Sequence, residues 1–340
     1  MADNTDHTPQ TDDTAPPGDR PEVTIVVTPR ERFGLSRASL ESIYANTMAP
    51  FDLVYVDGGA PSSVATHLEQ AAKVNGFKLI SVRSHLSPNR ARNIGLAAVD
   101  TPYVVFVDND LVVAEGWLTK LLACAGETGA ALVGPLYMEG DPEENIIHMA
   151  GGDYRFDGED GARRFSTTHR LQGESLSGVG TDLGREPVDF VEFHCMLART
   201  DFLRSVGGLD EALLSTREHL DLCLVAAERG EKVYFEPSSK VTYLTPPPID
   251  RAYLRFFLRR WSERWNEASL AHFCAKHGIE PAYSDRIVGM RARRQLLLAP
   301  MRRASAAVLP GPVDRFAMRV LARLEREVNR ALFRLPSYAR

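Results

Sequence analysis

From residue 23 to residue 125 the chain alternates short apolar runs with stretches of helical spacing. No other feature restricts its fold as strongly. The runs are 23–27 (VTIVV), 52–56 (DLVYV), 79–82 and 103–107, and between them 36–45, 62–74 and 89–98 carry apolar residues at helical spacing, with 117–125 following the last run. Three strand–helix repeats in about 100 residues are the signature of a parallel sheet with crossover helices. The runs are continuously apolar, as strands buried on both faces require. In such sheets ligands bind beyond the carboxyl ends of the strands.

Three of these runs end in polar groups. The first is followed by Thr28, Pro29 and Arg30, the second ends at Asp57, and the fourth, VVFVDND, ends at Asp108 and Asp110. Asp57 stands before two glycines, where a turn residue and a ligand contact are equally good readings. Two carboxylates at i and i+2 repel one another unless a cation or solvent intervenes. Mg2+ and Mn2+ bind through one or two carboxylates plus substrate phosphates. Asp108 and Asp110 are therefore candidate metal ligands for a metal–diphosphate unit. Haloacid-dehalogenase-like phosphatases also carry D-x-D after a strand, but they want a Thr where this chain has Val112, and they want the motif near the start.

Charge is uneven along the 340 residues. The net value of −5 gives no general field for nucleic acid, but residues 1–20 hold five Asp and one Arg, whereas 281–340 hold 13 Arg against four acids. Residues 1–21 read as a solvated acidic tail. The four cysteines form no CxxC pair and no zinc-spaced cluster, as in a reduced compartment. The first 20 residues have no apolar core of a secretory signal, and no run approaches the ~20 apolar residues of a membrane span. These features point to a cytoplasmic protein, with membrane contact at most peripheral at the inner face.

Four ordered blocks between residues 22 and 245 resemble family 2 glycosyltransferases of the GT-A fold: VTIVVTPRERFGLSRASLESIYANT, DLVYVDGG, NRARNIGLAAVDTPYVVFVDND, and FHCMLARTDFLRSVGGLDEALLSTREHLDLCLVAAERGEKVYFEP. The resemblance implies an α/β fold, a Rossmann-like, mostly parallel sheet flanked by helices. Residues 22–248 would form the transferase domain, and 249–340, after the prolines at 246–248, a helical, Arg-rich extension. It implies a sugar moved from a nucleotide-diphosphate donor to a hydroxyl of a glycan or lipid-linked glycan, with inversion and metal assistance. Thr28, Pro29, Arg30 and Asp57 would then hold the nucleoside. Arg90, Arg92 and Asn93, from the ARN helix, would serve the donor with Asp108 and Asp110. The acceptor's base would come from Glu218-His219, where the family usually has Glu-Asp, and either residue has suitable chemistry. Asp221 would be a substrate or supporting contact, and His194 a candidate for the acceptor side.

Departures from the pattern keep other readings open. An arginine usual three residues after the D-L pair is missing near Val225, and the late histidine ligand is missing from residues 239–244. A catalytically degenerate binding or scaffold subunit is one alternative. A sugar-1-phosphate nucleotidyltransferase is another, although its G-x-G-x-R loop is absent after the first strand. Residues 134–190, with His148 and His169, carry no readable pattern. The aromatic, basic run 253–265 suits either a docked helix or a membrane-surface helix. Near the end, Phe316, Val320, Leu321, Leu324, Val328, Leu332 and Leu335 share one helical arc beside an arc of arginines. Such a helix suits an anionic membrane surface, a protein partner or the protein's own acidic face.

Overall fold

The computed structural model describes residues 21–29, 32–158, 163–180, 183–245, 251–282 and 284–336. The acidic stretch up to residue 20, Arg30 and the prolines at 246–248 lie outside the described residues. The strands are β1 (Val23–Thr28), β2 (Asp52–Asp57), β3 (Lys78–Ser81), β4 (Tyr103–Asp108), β5 (Leu111–Val113), β6 (Leu132–Gly140), β7 (Ile146–Met149), β8 (Gly152–Asp157), β9 (Arg164–His169), β10 (Glu186–Pro187), β11 (Cys195–Arg199) and β12 (Val233–Leu244). The helices are α1 (Ser36–Asn46), α2 (Ser62–Asn75), α3 (Pro88–Leu96), α4 (Trp117–Thr128), α5 (Leu176–Val179), α6 (Thr200–Ser205), α7 (Glu218–Glu228), α8 (Leu254–Arg260), α9 (Glu263–His277), α10 (Ser284–Gln295), α11 (Ala299–Val308) and α12 (Gly311–Leu332).

One sheet organises the molecule, in the order β10-β12-β6-β11-β4-β1-β2-β3. β1 pairs in parallel with β2 on one side and β4 on the other, so strand order reverses at β1. That reversal opens a crevice at the carboxyl ends of β1 and β4, where α/β sheets bind ligands. The register brings Thr28 level with Asp108 at its mouth. β11 runs antiparallel between β4 and β6, and carries the second half of the chain back across the sheet.

Local chemistry explains why α3 sits where it does. Pro88 occupies its first turn, where a missing N–H costs nothing. Gly95 lets the helix lie directly on β1, because a Cβ there would stand 2.3 Å from Val26 Cγ1. Asn93 ties α3 to the GGLDE turn: its side-chain amide donates to the Leu209 carbonyl at 2.8 Å, and its oxygen accepts from the Leu209 N–H at 2.9 Å. Gly208 in that turn has φ +86 and would place a Cβ 3.1 Å from Asn93 Oδ1. Both constraints select glycine.

After β12 the chain is helical. The aromatic run at 253–265 forms two helices, because Ser262 breaks the first and caps α9 by accepting from the Trp265 N–H at 3.4 Å. Tyr253 and Phe256 pack on Phe33, and Trp265 is buried, so this run is docked on the protein. Glu263, fully buried, gathers Arg291 of α10 at 2.6 Å with Arg326 and Arg330 of α12 at 2.9 and 3.0 Å. α12 therefore docks through Arg326 and Arg330 and leaves most of its apolar arc outside: Phe316 is 62% exposed and Leu332 is 66% exposed. Among the described residues, no helix is long and apolar enough to cross a membrane.

Candidate active site

The crevice at β1 and β4 gathers most of the residues expected to serve the donor. Thr28 and Pro29 are buried at the end of β1, and the Thr28 carbonyl accepts from the Asn109 N–H at 3.1 Å. Asp57 ends β2, where its Oδ1 accepts from the Ala60 N–H at 2.8 Å, closing the turn before α2. Burial raises the Asp57 carboxyl, opposed by the bonds from Ala60 and Gly59. Asp108 is fully engaged, with Arg92 donating to Oδ1 at 3.1 Å and His194 Nδ1 lying 3.0 Å from Oδ2. Arg92 is itself buried and stacks over Phe193 at 4.1 Å. Asp110 is buried, 3.5 Å from the Arg32 guanidinium, which also donates to the Leu244 carbonyl and lies over Tyr243.

Two of the expected donor contacts are occupied elsewhere. Asn93 is the staple described above, and Arg90, half exposed, pairs with Glu211 at 3.4 Å. Both hold the GGLDE turn against α3.

A cavity of about 360 Å³ opens beside the crevice, and Glu192, His194, Glu218, His219 and four arginines line it. Arg217 precedes α7, Arg260 ends α8, and Arg286 and Arg293 come from α10. Three of the four arginines thus come from residues after β12. Arg217 takes φ +71, in the left-handed region, and this turn sets Glu218 as the first residue of α7. Burial and the neighbouring Arg286 pull the Arg217 guanidinium down to about 9. Glu218 is buried, and its Oε1 has no hydrogen-bond partner among the described residues.

His219 and Asp221 differ from Glu218 in their surroundings. His219 packs on Phe190, and burial drives its imidazole down to about 3, although Glu192 opposes this. A neutral ring of such low basicity is a poor proton acceptor at pH 7. Asp221 is absent from the cavity lining and pairs with Lys276 and His277 of α9, each at 2.8 Å. It fastens α7 to α9.

Glu192 was not legible as a site residue, yet four histidines surround it. His148 and His194 approach Oε2 at 3.0 and 3.3 Å, while His169 and His219 approach Oε1 at 3.4 and 3.9 Å. Burial would raise the Glu192 carboxyl, but His194, His148 and His169 hold it well below the ordinary carboxylate range. Burial likewise lowers His148, but its bonds to Glu192 and Glu139 prevail and leave it at about 9. The only sequence signal was E-x-H at 192 and 194. His148 and His169 lie in the stretch without readable pattern, on β7 and β9.

Residues 21–182 match the model of Glycosyl transferase family 2. Just under half of the chain thus resembles family 2 glycosyltransferases. Over 158 residues, 46% of the chain, it is 31% identical to the pre-mycofactocin glycosyltransferase of Mycobacterium tuberculosis, covering 30% of that protein. Over 283 residues, 78% of the chain, it is 27% identical to the uncharacterized protein y4gI of Sinorhizobium fredii, covering 29% of it. The chain thus spans less than a third of these curated relatives. Among solved structures it resembles GalNAc-T7 with UDP, GalNAc and Mn2+ (TM-score 0.54, 16% identity, 82% of this chain and 55% of that one). It also resembles the mannosyltransferase PcManGT of Pyrobaculum calidifontis with GDP-Man and Mn2+ (TM-score 0.50, 16% identity, 96% and 87%). The fold is that of the GT-A glycosyltransferases.

Proposed function

We propose that the protein transfers a sugar from a nucleotide-diphosphate donor to a hydroxyl acceptor, with inversion at the anomeric carbon. The observation that carries this reading is the position of His194. It bonds Asp108 at the donor crevice and lines the cavity that holds Glu218, so the two compartments meet at one side chain. Both neighbouring structures were determined with a nucleotide and Mn2+, and this favours the same kind of donor here.

Each group then has a task. Thr28, Pro29, Arg30 and Asp57 hold the nucleoside. A divalent ion, Mg2+ or Mn2+, fits Asp110, a buried carboxylate that follows the end of β4 at the crevice. Asp108, with both oxygens committed, positions Arg92 and His194. When bound, the ion offsets charge on the departing diphosphate. Glu218 accepts the acceptor's proton as the acceptor oxygen bonds the anomeric carbon and the bond to the diphosphate breaks. The arginines of the cavity wall favour an acceptor bearing negative charge. The exposed apolar arc of α12, with Arg319 and Arg323 exposed at its edge, suits an anionic membrane surface, where a lipid-linked acceptor resides.

The test is a melting-temperature panel of UDP, GDP, dTDP and CDP, each with and without Mn2+ or Mg2+, on the wild type and Asp110→Asn. A ligand that binds the folded state raises the melting temperature. The reading expects a metal-dependent shift for one nucleotide, lost in the variant. No shift with any nucleotide on folded protein would sink it and favour a binding subunit without catalysis.

A further inference from the structure

We infer that His148, Glu192 and His194 form a second divalent-metal site, separate from the D-x-D pair and suited to Zn2+. The three ligand atoms, two imidazole nitrogens and one carboxylate oxygen, lie within 4.8 Å of one another. Glu192 Oε2 is 3.0 Å from His148 Nε2 and 3.3 Å from His194 Nε2. A tetrahedral ion with bonds of about 2.0–2.1 Å needs its ligand atoms roughly 3.4 Å apart, so Oε2 stands close to coordination spacing from both nitrogens, which lie within 4.8 Å of one another.

The outer contacts distinguish this cluster from a chance gathering of histidines. Ligating histidines ordinarily give their second nitrogen to a carboxylate, which fixes ring orientation and tautomer. Both do so here: His148 Nδ1 lies 2.9 Å from Glu139 Oε2, and His194 Nδ1 lies 3.0 Å from Asp108 Oδ2. Each ring therefore turns Nε2 towards the shared carboxylate oxygen. The rings are also packed, His194 on Tyr243 at 4.4 Å and His148 edge-on to His194 at 5.5 Å. The backbone carrying two ligands is pinned by Tyr137, whose hydroxyl accepts from the Glu192 N–H at 3.0 Å and lies 2.8 Å from the Cys195 carbonyl. His169 and His219 stand against the other oxygen of Glu192 and leave Oε2 to the ion.

Two histidines and one carboxylate are the protein ligands of a zinc site with an open position. Glu192 and His194 line the cavity, so an ion there presents that position towards its contents. Asp108 lies between the two sites: it ends the strand at the donor crevice and orients one ligand of the second ion. The site stands on its own residues and does not depend on which sugar or nucleotide the crevice accepts.

The experiment uses the full-length protein, stripped with chelator and titrated with Co2+ as a spectroscopic probe, followed by Zn2+ competition. The wild type should bind one Co2+ with visible d–d absorption that Zn2+ displaces. His148→Ala should abolish the band, and Asp110→Asn should retain it. Glu139→Gln, at a partly exposed position, should fold and weaken affinity about 10–100-fold; it decides the question if His148→Ala does not fold. Three outcomes would each overturn the site: no absorption in the wild type, a band unchanged in His148→Ala and Glu139→Gln, or a band lost in Asp110→Asn.

Discussion

Replacing Glu218 by Gln separates a catalytic carboxylate from a structural one, because the two roles predict opposite balances of activity and stability. A positioned general base contributes typically 10²–10⁴ in rate, or about 2.7–5.4 kcal/mol of barrier. The structure limits the cost to folding. Oε1 of this buried carboxylate has no hydrogen-bond partner among the described residues, so the amide forfeits no bond at that atom. A change of 1 kcal/mol moves the melting temperature of a large domain by about 2–4 °C. The variant should therefore melt within about 4 °C of the wild type, or above it. Release of nucleoside diphosphate, followed under saturating donor, should fall at least 100-fold in kcat with donor KM little changed. Turnover within threefold of the wild type would remove Glu218 as the base. A melting temperature lower by more than about 4 °C would make it a structural anchor.

Other predictions test the scaffold and its surfaces. Gly95→Ala pushes a methyl to 2.3 Å from Val26 Cγ1 and should cost about 1–3 kcal/mol in urea unfolding; an unchanged midpoint would contradict the close approach of α3 and β1. Burial would raise the Glu263 carboxyl, but Arg291 and Arg326 hold it below the ordinary 4.5, so its stabilising contribution is complete above that value. It is lost as pH falls through the folded value, because the unfolded chain takes up the proton first. Fluorescence of Trp261 and Trp265 should report this acid transition, and the same transition in Glu263→Gln would exclude Glu263 as its source. The protein should co-sediment with phosphatidylglycerol-containing vesicles but not with neutral ones. Phe316→Ser with Leu324→Ser should cut that binding at least tenfold, since each side chain contributes about 1.5–3 kcal/mol when buried. Equal binding by the double variant would exclude the α12 face.

Alternation of valine-rich runs with helical spacing made the first half of the sheet legible to within a residue or two, because strand burial on both faces writes itself into local composition. The placement of Asp108 and Asp110 at the end of β4 was legible for the same reason: they interrupt an apolar run where a strand ends. The Glu192 cluster was not. Its histidines come from β7, from β9, from the turn before β11 and from α7, and only tertiary contact unites them. Asn93, Arg90 and Asp221 carry residue types that suit a ligand, but their partners lie 55 to 121 positions away. Local sequence cannot distinguish a polar side chain that fastens two elements from one that meets a substrate. In α12 the two arcs were legible, but not which of them faces inward. That was settled by Glu263, one buried acid in another helix.

The cavity has divided ownership. Glu192, His194 and Glu218 come from the region before β12, whereas Arg260, Trp261, Arg286, Met290 and Arg293 come from the segment after it. Trimming the chain after β12 would keep the D-x-D crevice and remove one wall of the chamber beside it. A relative with the same residues up to β12 but a different following segment would keep Asp108, Asp110 and Glu218 and present another wall to the cavity. The shape and charge of the cavity can then diverge through a part of the chain that the family match, which ends at residue 182, does not reach.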